Sequence, residues 1–150
     1  MPYRRQVPET PAPAASSFTS SWLVGTPNVI GRYIKPILVV TGVVTASMIA
    51  AFFAPAVVLD QLFAGAPTDA VSLALMRHWG LLVFCFGGLL IWAAYRPELR
   101  KPVLIFTIVE KVALVLGILL LPLALKLGAY VAAATDATCT ALYLLYLAGL

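Results

Sequence analysis

AVSLALMRHWGLLVFCFGGLLIWAAY (residues 70–95) and VLIFTIVEKVALVLGILLL (residues 103–121) are apolar runs joined by Arg96-Pro97-Glu98-Leu99-Arg100-Lys101-Pro102. Each run is long enough to cross a bilayer, whose hydrocarbon core of about 30 Å needs about 20 apolar residues in a helix. Each also carries an adjacent ionisable pair, Arg77-His78 in the first and Glu110-Lys111 in the second. A charge near the centre of a spanning helix costs about 2.5–3.5 kcal/mol, so such residues face partners inside a bundle. The hairpin therefore predicts an all-α, polytopic membrane protein whose candidate site lies among its own buried charges.

Composition agrees. Of the 150 residues, 62% are hydrophobic and only 11% charged. A soluble domain of average composition is about half apolar and a quarter charged. The formal charge of +4 does not imply nucleic acid, because the charges sit at the ends of apolar runs and form no basic face. Cys85 and Cys139 lie in different apolar runs and read as small core residues; no metal-spaced Cys/His set accompanies them.

Working outward, a first span is expected over 36–54, preceded by Arg32, Tyr33 and Lys35 as an interfacial anchor. Pro36 would open it, where a proline removes no helical hydrogen bond, and Pro55 would end it. Gly42, Ala46, Ala50 and Ala54 recur at every fourth position, a small-residue stripe that lets a second helix approach closely. Gly87-Gly88 in the second span reads the same way. Between spans one and two, Pro55 to Asp69 is too short to cross again. Its Val58, Leu59, Leu62 and Phe63 predict a short interfacial helix closed by Gly65. A fourth span is expected over 128–147, with Tyr130 near one end and Tyr143 and Tyr146 near the other. The architecture is then a four-helix transmembrane bundle over 36–150, with spans at 36–54, 70–95, 103–121 and 128–147. Residues 1–35 form a Pro/Ser-rich tail. Its prolines follow Arg4-Arg5 without an intervening apolar core, which is not the pattern of a signal peptide.

Orientation follows from Lys and Arg. Arg4, Arg5, Arg32, Lys35, Arg96, Arg100 and Lys101 fall on one side and only Lys126 on the other. The positive-inside rule places both termini and the central loop in the cytoplasm, with the chain in the inner (cytoplasmic) membrane.

At a rise of 1.5 Å per residue, Arg77 lies roughly 10 Å and Asp136 roughly 12 Å from the outer ends of their spans. The two are expected to pair across spans two and four. Glu110, Lys111 and neutral His78 complete the set, with Thr107 and Thr140 one turn away to supply hydroxyls. This network reads as an ion-pair lock that specifies packing, as a site for a proton, ion or small ligand, or, for Lys111 alone, as a side chain snorkelling toward the cytoplasmic surface. Tyr143, seven residues after Asp136, either lines that cavity or belongs to the aromatic belt. No catalytic or metal-binding constellation is recognisable.

Arg77-His78-Trp79-Gly80, the glycine pair, the basic proline-containing loop and the proline-ended first helix together resemble the DoxX-like class of small bacterial four-helix membrane proteins. The resemblance covers residues 36–148 and implies the fold more than an activity. One member of that class is a subunit associated with quinone-linked thiosulfate oxidation. Three functions follow as expectations. The first is a non-catalytic accessory or structural subunit, contacting lipid and a membrane-protein partner through span one and the tail. The second is a small-ligand or proton-linked binding or transport protein. The third is a quinone-handling subunit, with no cofactor of its own and quinone reached only through a partner complex.

Overall fold

The computed structural model describes residues 29–120 and 124–149. The tail through residue 28 and the end of the expected third span at residue 121 lie outside the described residues.

The described residues are helical apart from short joints, with one isolated antiparallel bridge between Phe63 and Leu125. Helix α1 (Val29–Ala46), a 3-10 turn (Ser47–Ile49) and α2 (Ala50–Phe53) make a first rod. Then come α3 (Pro55–Leu62), α4 (Ala70–Tyr95), α5 (Pro97–Leu120) and α6 (Leu127–Leu147). Three stretches, Ile30–Phe53, Ala70–Tyr95 and Pro97–Leu120, are long and apolar enough to cross a membrane. Helix α6 has 21 residues, but Thr135, Asp136, Thr138 and Thr140 dilute its apolar character, and it is not among the three. Large apolar side chains such as Val40, Leu75, Phe84, Phe106, Val109 and Leu119 stand exposed along the rods. Such a surface fits lipid and not water. The chain is a helical membrane protein.

Two sequence expectations about boundaries need correction. Helix α1 begins at Val29, so Pro36 lies inside it and not at its start. Having no N–H, Pro36 cannot bond the Arg32 carbonyl one turn back. The expected loop over 96–102 shrinks to a joint at Arg96, because α5 opens at Pro97 and carries Pro102 within it. Proline at the first helical position is well placed, since its missing donor would have had no partner there. The Arg100 side chain closes the joint. Its Nε donates to the Ala93 carbonyl (3.2 Å) and its Nη2 to the Ala94 carbonyl (3.1 Å). A cation thus sits on the otherwise unpaired carbonyls at the negative end of α4.

The first rod packs on α4 by close backbone approach. A Cβ on Gly42 would meet the Gly87 carbonyl oxygen at 2.9 Å, and one on Gly87 would meet the Gly42 carbonyl oxygen at 2.6 Å. Gly80 is equally tight, 2.7 Å from the Ala51 Cβ. The expected stripe is right at Gly42 and Ala46 and fails beyond them, where Ala50 and Ala54 are exposed. The reason is the 3-10 turn. Its three residues per turn change the inward step from four to three, so Met48 and Ala51 face α4 instead. The Ser47 hydroxyl donates to the Val44 carbonyl at 2.7 Å within this distorted segment. Pro55 then forces Ala54 out of helical geometry (φ −129°, ψ 60°) and starts α3. Gly88 is exposed with nothing near its Cβ position, so only one glycine of the pair serves packing.

Two apolar cores result. The larger joins Ile34, Leu38, Leu90, Ala93, Leu104 and Tyr143 near the end that gathers Arg32, Lys35, Arg96, Arg100 and Lys101. At that end the Lys35 Nζ lies 4.5 Å from the Tyr95 ring centroid. The smaller core, Ala51, Val58 and Met76, lies toward the other end. There Lys126 N–H donates to the Leu62 carbonyl (2.9 Å), and its Nζ donates to the Asp60 Oδ1 (2.7 Å). Asp69 caps α4 by accepting from the Val71 and Ser72 N–H groups and from the Ser72 hydroxyl. The Ser72 hydroxyl, followed by its N–H, holds the Asp69 carboxyl below its ordinary range.

The glycine pair separates packing from composition. Gly87→Ala is expected to lower stability by about 1–3 kcal/mol, the range for overpacking against atoms that cannot yield. Gly88→Ala should stay within about 0.5 kcal/mol of the parent. Thermal unfolding of the detergent-solubilised variants checks this; equal effects would refute the Gly87–Gly42 contact.

Candidate functional site

On α5, Leu104, Thr107, Lys111 and Ile118 are buried, a spacing of three, four and seven that defines the inward face. On α6 the buried positions are Ala129, Cys139, Thr140 and Tyr143. Lys111 therefore occupies a position that packing alone would give to a leucine or isoleucine. Asp136 follows Ala129 by seven residues and turns toward α5. The Lys111 Nζ donates to the Asp136 Oδ1, with side-chain exposures of 2% and 15%. The pair is largely withdrawn from the surface.

The expected partnership of Arg77 with Asp136 is overturned, because Lys111 takes that place. On α4 the inward residues are Met76, Gly80 and Val83, which rotates Arg77 and His78 to the outside, where both are exposed. Depth explains why the exposure is tolerable. Gly80 is level with Phe52 at the end of the first rod, and Met76 packs in one cluster with Val58 of α3. Arg77 thus stands beside the end of the first span and within reach of the headgroup level.

Glu110 is adjacent to Lys111 and half-buried, and its Oε2 is buried without a hydrogen-bond partner among the described residues. The two threonines do not complete the shell. The Thr107 hydroxyl donates back to the Val103 carbonyl at 2.8 Å, and the Thr140 Oγ1 has no partner among the described residues. Tyr143 is neither a cavity residue nor a belt residue. It is fully buried in the larger core, and its hydroxyl donates to the Thr41 Oγ1 (2.6 Å), which donates in turn to the Ile37 carbonyl (2.8 Å). That relay ties α6 to α1.

Glu110, Lys111 and Asp136 share a cavity of about 490 Å³. Its walls are mainly apolar, with Met48, Met76, Trp79, Val83, Leu114 and Ile118 around it. Gln61 and Thr135 add uncharged polar groups. The volume falls in the range of about 300–1,000 Å³ typical of small-molecule sites. Sequence reasoning found the three charges and missed the walls. Met76, Trp79 and Val83 do recur at three, then four, on α4, a helical face that could have been read as lining. The capping role of Arg100 also had a signal, a basic residue shortly after an apolar helix ends.

Chemically, the arrangement can hold a positive charge or a hydrogen-bond donor at Glu110, while Lys111 and Asp136 satisfy each other. No family model, curated protein or solved structure matches the chain.

Removing one member of a buried pair strands the other, which typically costs about 3–5 kcal/mol. Lys111→Met and Asp136→Asn are each expected to destabilise on that scale, and the double variant should recover most of the loss. Arg77→Gln should stay within about 0.5 kcal/mol and add independently to Asp136→Asn. A double-mutant cycle by thermal unfolding decides; simple additivity for Lys111 and Asp136 would break the pair.

Proposed function

We propose that the chain is a non-catalytic integral membrane protein that spans the inner membrane four times and binds a small, mainly apolar molecule in its cavity. The observation that carries this reading is a cavity of about 490 Å³ lined by Glu110, a carboxylate whose Oε2 has no hydrogen-bond partner among the described residues. A pure ion-pair lock would need Lys111 and Asp136 alone; it would need neither a hollow nor a second carboxylate. In this reading the pair fixes α5 against α6 and leaves the space beside it open.

The fourth span is α6, since its Asp136 is neutralised by Lys111 and its remaining charge is nil. Helix α3 lies in the interface on the side of Lys126. With Arg32, Lys35, Arg96, Arg100 and Lys101 gathered at the opposite end, that end faces the cytoplasm. The accessory-subunit alternative loses part of its support, because α4 occupies the small-residue face at Gly42 and Ala46. The quinone alternative rests on the family resemblance alone.

Two measurements test the proposal. In a background with Cys85 and Cys139 replaced, Thr68→Cys should react with an impermeant thiol reagent in right-side-out vesicles, and Glu98→Cys only after permeabilisation. The reverse pattern would invert the topology. For the cavity, a variant retaining Trp79 as its sole tryptophan should be quenched saturably by an uncharged brominated phenylalkane. Ala132→Phe, which fills the cavity, should abolish saturation while thermal unfolding stays cooperative. Quenching that rises linearly in both proteins, as it should for a lipid-facing Trp92, would remove the cavity from function.

A further inference from the structure

We infer that the cavity selects a small lipophilic monocation, with the Glu110 carboxylate as its counter-charge. The inference rests on the binding reading above and adds the class of ligand. Among the described residues, three charged groups line the cavity: Glu110 and Lys111 from α5 and Asp136 from α6. The lining residues of the first rod, α3 and α4 are uncharged. Lys111 is committed to Asp136. The described residues thus set two carboxylates against one ammonium, and the Glu110 Oε2 has no hydrogen-bond donor among them.

A buried carboxylate in this state is satisfied by a cation or by a proton. An anionic ligand would meet two carboxylates against one ammonium and be repelled. A neutral apolar ligand would fill the space and leave Glu110 to be neutralised by a proton. A molecule with one positive charge and an apolar body satisfies both the carboxylate and the walls. Trp79 adds an aromatic surface to those walls, and aromatic rings attract a desolvated cation through the negative face of the ring. The cavity volume suits a drug-sized molecule and not the many-helix groove that a two-chain lipid needs.

The test compares three probes of one shape on the full chain in nonionic detergent, read by quenching or displacement at Trp79. They are phenylbutyltrimethylammonium, its uncharged tert-butyl isostere and the corresponding phenylbutyl sulfonate. The cation should bind at least tenfold more tightly than the isostere, and the sulfonate should not bind. Glu110→Gln should remove the tenfold preference and leave the isostere unchanged; Glu110→Asp should restore part of the preference. Acidification should weaken the cation in the parent protein and not in Glu110→Gln, because a proton competes for the same carboxylate. Equal binding of cation and isostere, or a preference that survives Glu110→Gln, would overturn the charge assignment and leave the binding reading standing. Binding of none of the three would overturn both. Displacement of the cation by phosphatidylethanolamine and not by phosphatidylglycerol would assign the site to a lipid amine and overturn the small-molecule identity.

Discussion

The pairing of Lys111 with Asp136 is the constraint on which the bundle depends. In a low-dielectric interior neither charge is tolerable alone, so α5 and α6 have one rotational setting in which both are satisfied. That setting places Leu104 and Ile118 of α5 inward on either side of Lys111, and Cys139 and Tyr143 of α6 into the larger core. The Tyr143 hydroxyl then reaches Thr41 and carries the registration across to the first rod. One polar contact thus orients three helices. It also accounts for a lysine at a position where packing would favour a branched apolar side chain. Apolar helices surrounded by lipid have no hydrophobic driving force to select one mutual rotation, and specific polar contacts supply it.

A second constraint works without charge. The first rod meets α4 through Gly42, Gly80 and Gly87, where backbone approaches backbone. Such contacts need flat surfaces, and they associate helices by van der Waals packing. The 3-10 turn over Ser47–Ile49 divides this interface into two registers, one with a step of four and one with a step of three. The second register lets Met48 and Ala51 approach α4 while Thr45 stays buried. Met48 and Thr45 also line the cavity.

What the sequence shows plainly is whatever lipid demands: long apolar runs, their ends, and residues too polar to face hydrocarbon. Residues 70–95 were legible to the residue, because Asp69 caps one end and Arg96 precedes a proline at the other. Starts were harder. Pro36 and Pro102 are common helix-openers, yet both lie inside helices, since upstream Arg32 and Arg100 are good helix formers and interfacial water tolerates a lost bond. The candidate charges were legible as a set and not as pairs. Depth along the axis matched Arg77 to Asp136, but pairing also depends on rotation about the axis. Rotation was fixed by Gly80 and Gly87, whose role appears only when the opposing backbone is in place. The walls of the cavity escaped for a similar reason: a methionine or tryptophan on a membrane helix has the same signature whether it fills a core, faces lipid or borders a hollow.

The division of the interior into a filled half and a hollow half follows from these two constraints together. Near the basic end, Leu38, Leu90, Ala93 and Leu104 are fully buried in the larger core, and Arg100 closes the joint between α4 and α5. Toward the other end, α3 leaves the first rod at Pro55 and reaches across to α6, where Gly128 lies against the Gln61 carbonyl. That detour spreads the helices around Val58 and Met76, and the smaller core cannot fill what it encloses. Lys111 and Asp136 sit where the filled half gives way to the hollow one. Their mutual neutralisation keeps the boundary from flooding with unmatched charge. Glu110, one residue nearer the basic end and rotated about 100° around α5, also lines the hollow. The pair therefore fixes α5 against α6, and the neighbouring carboxylate takes no part in that contact.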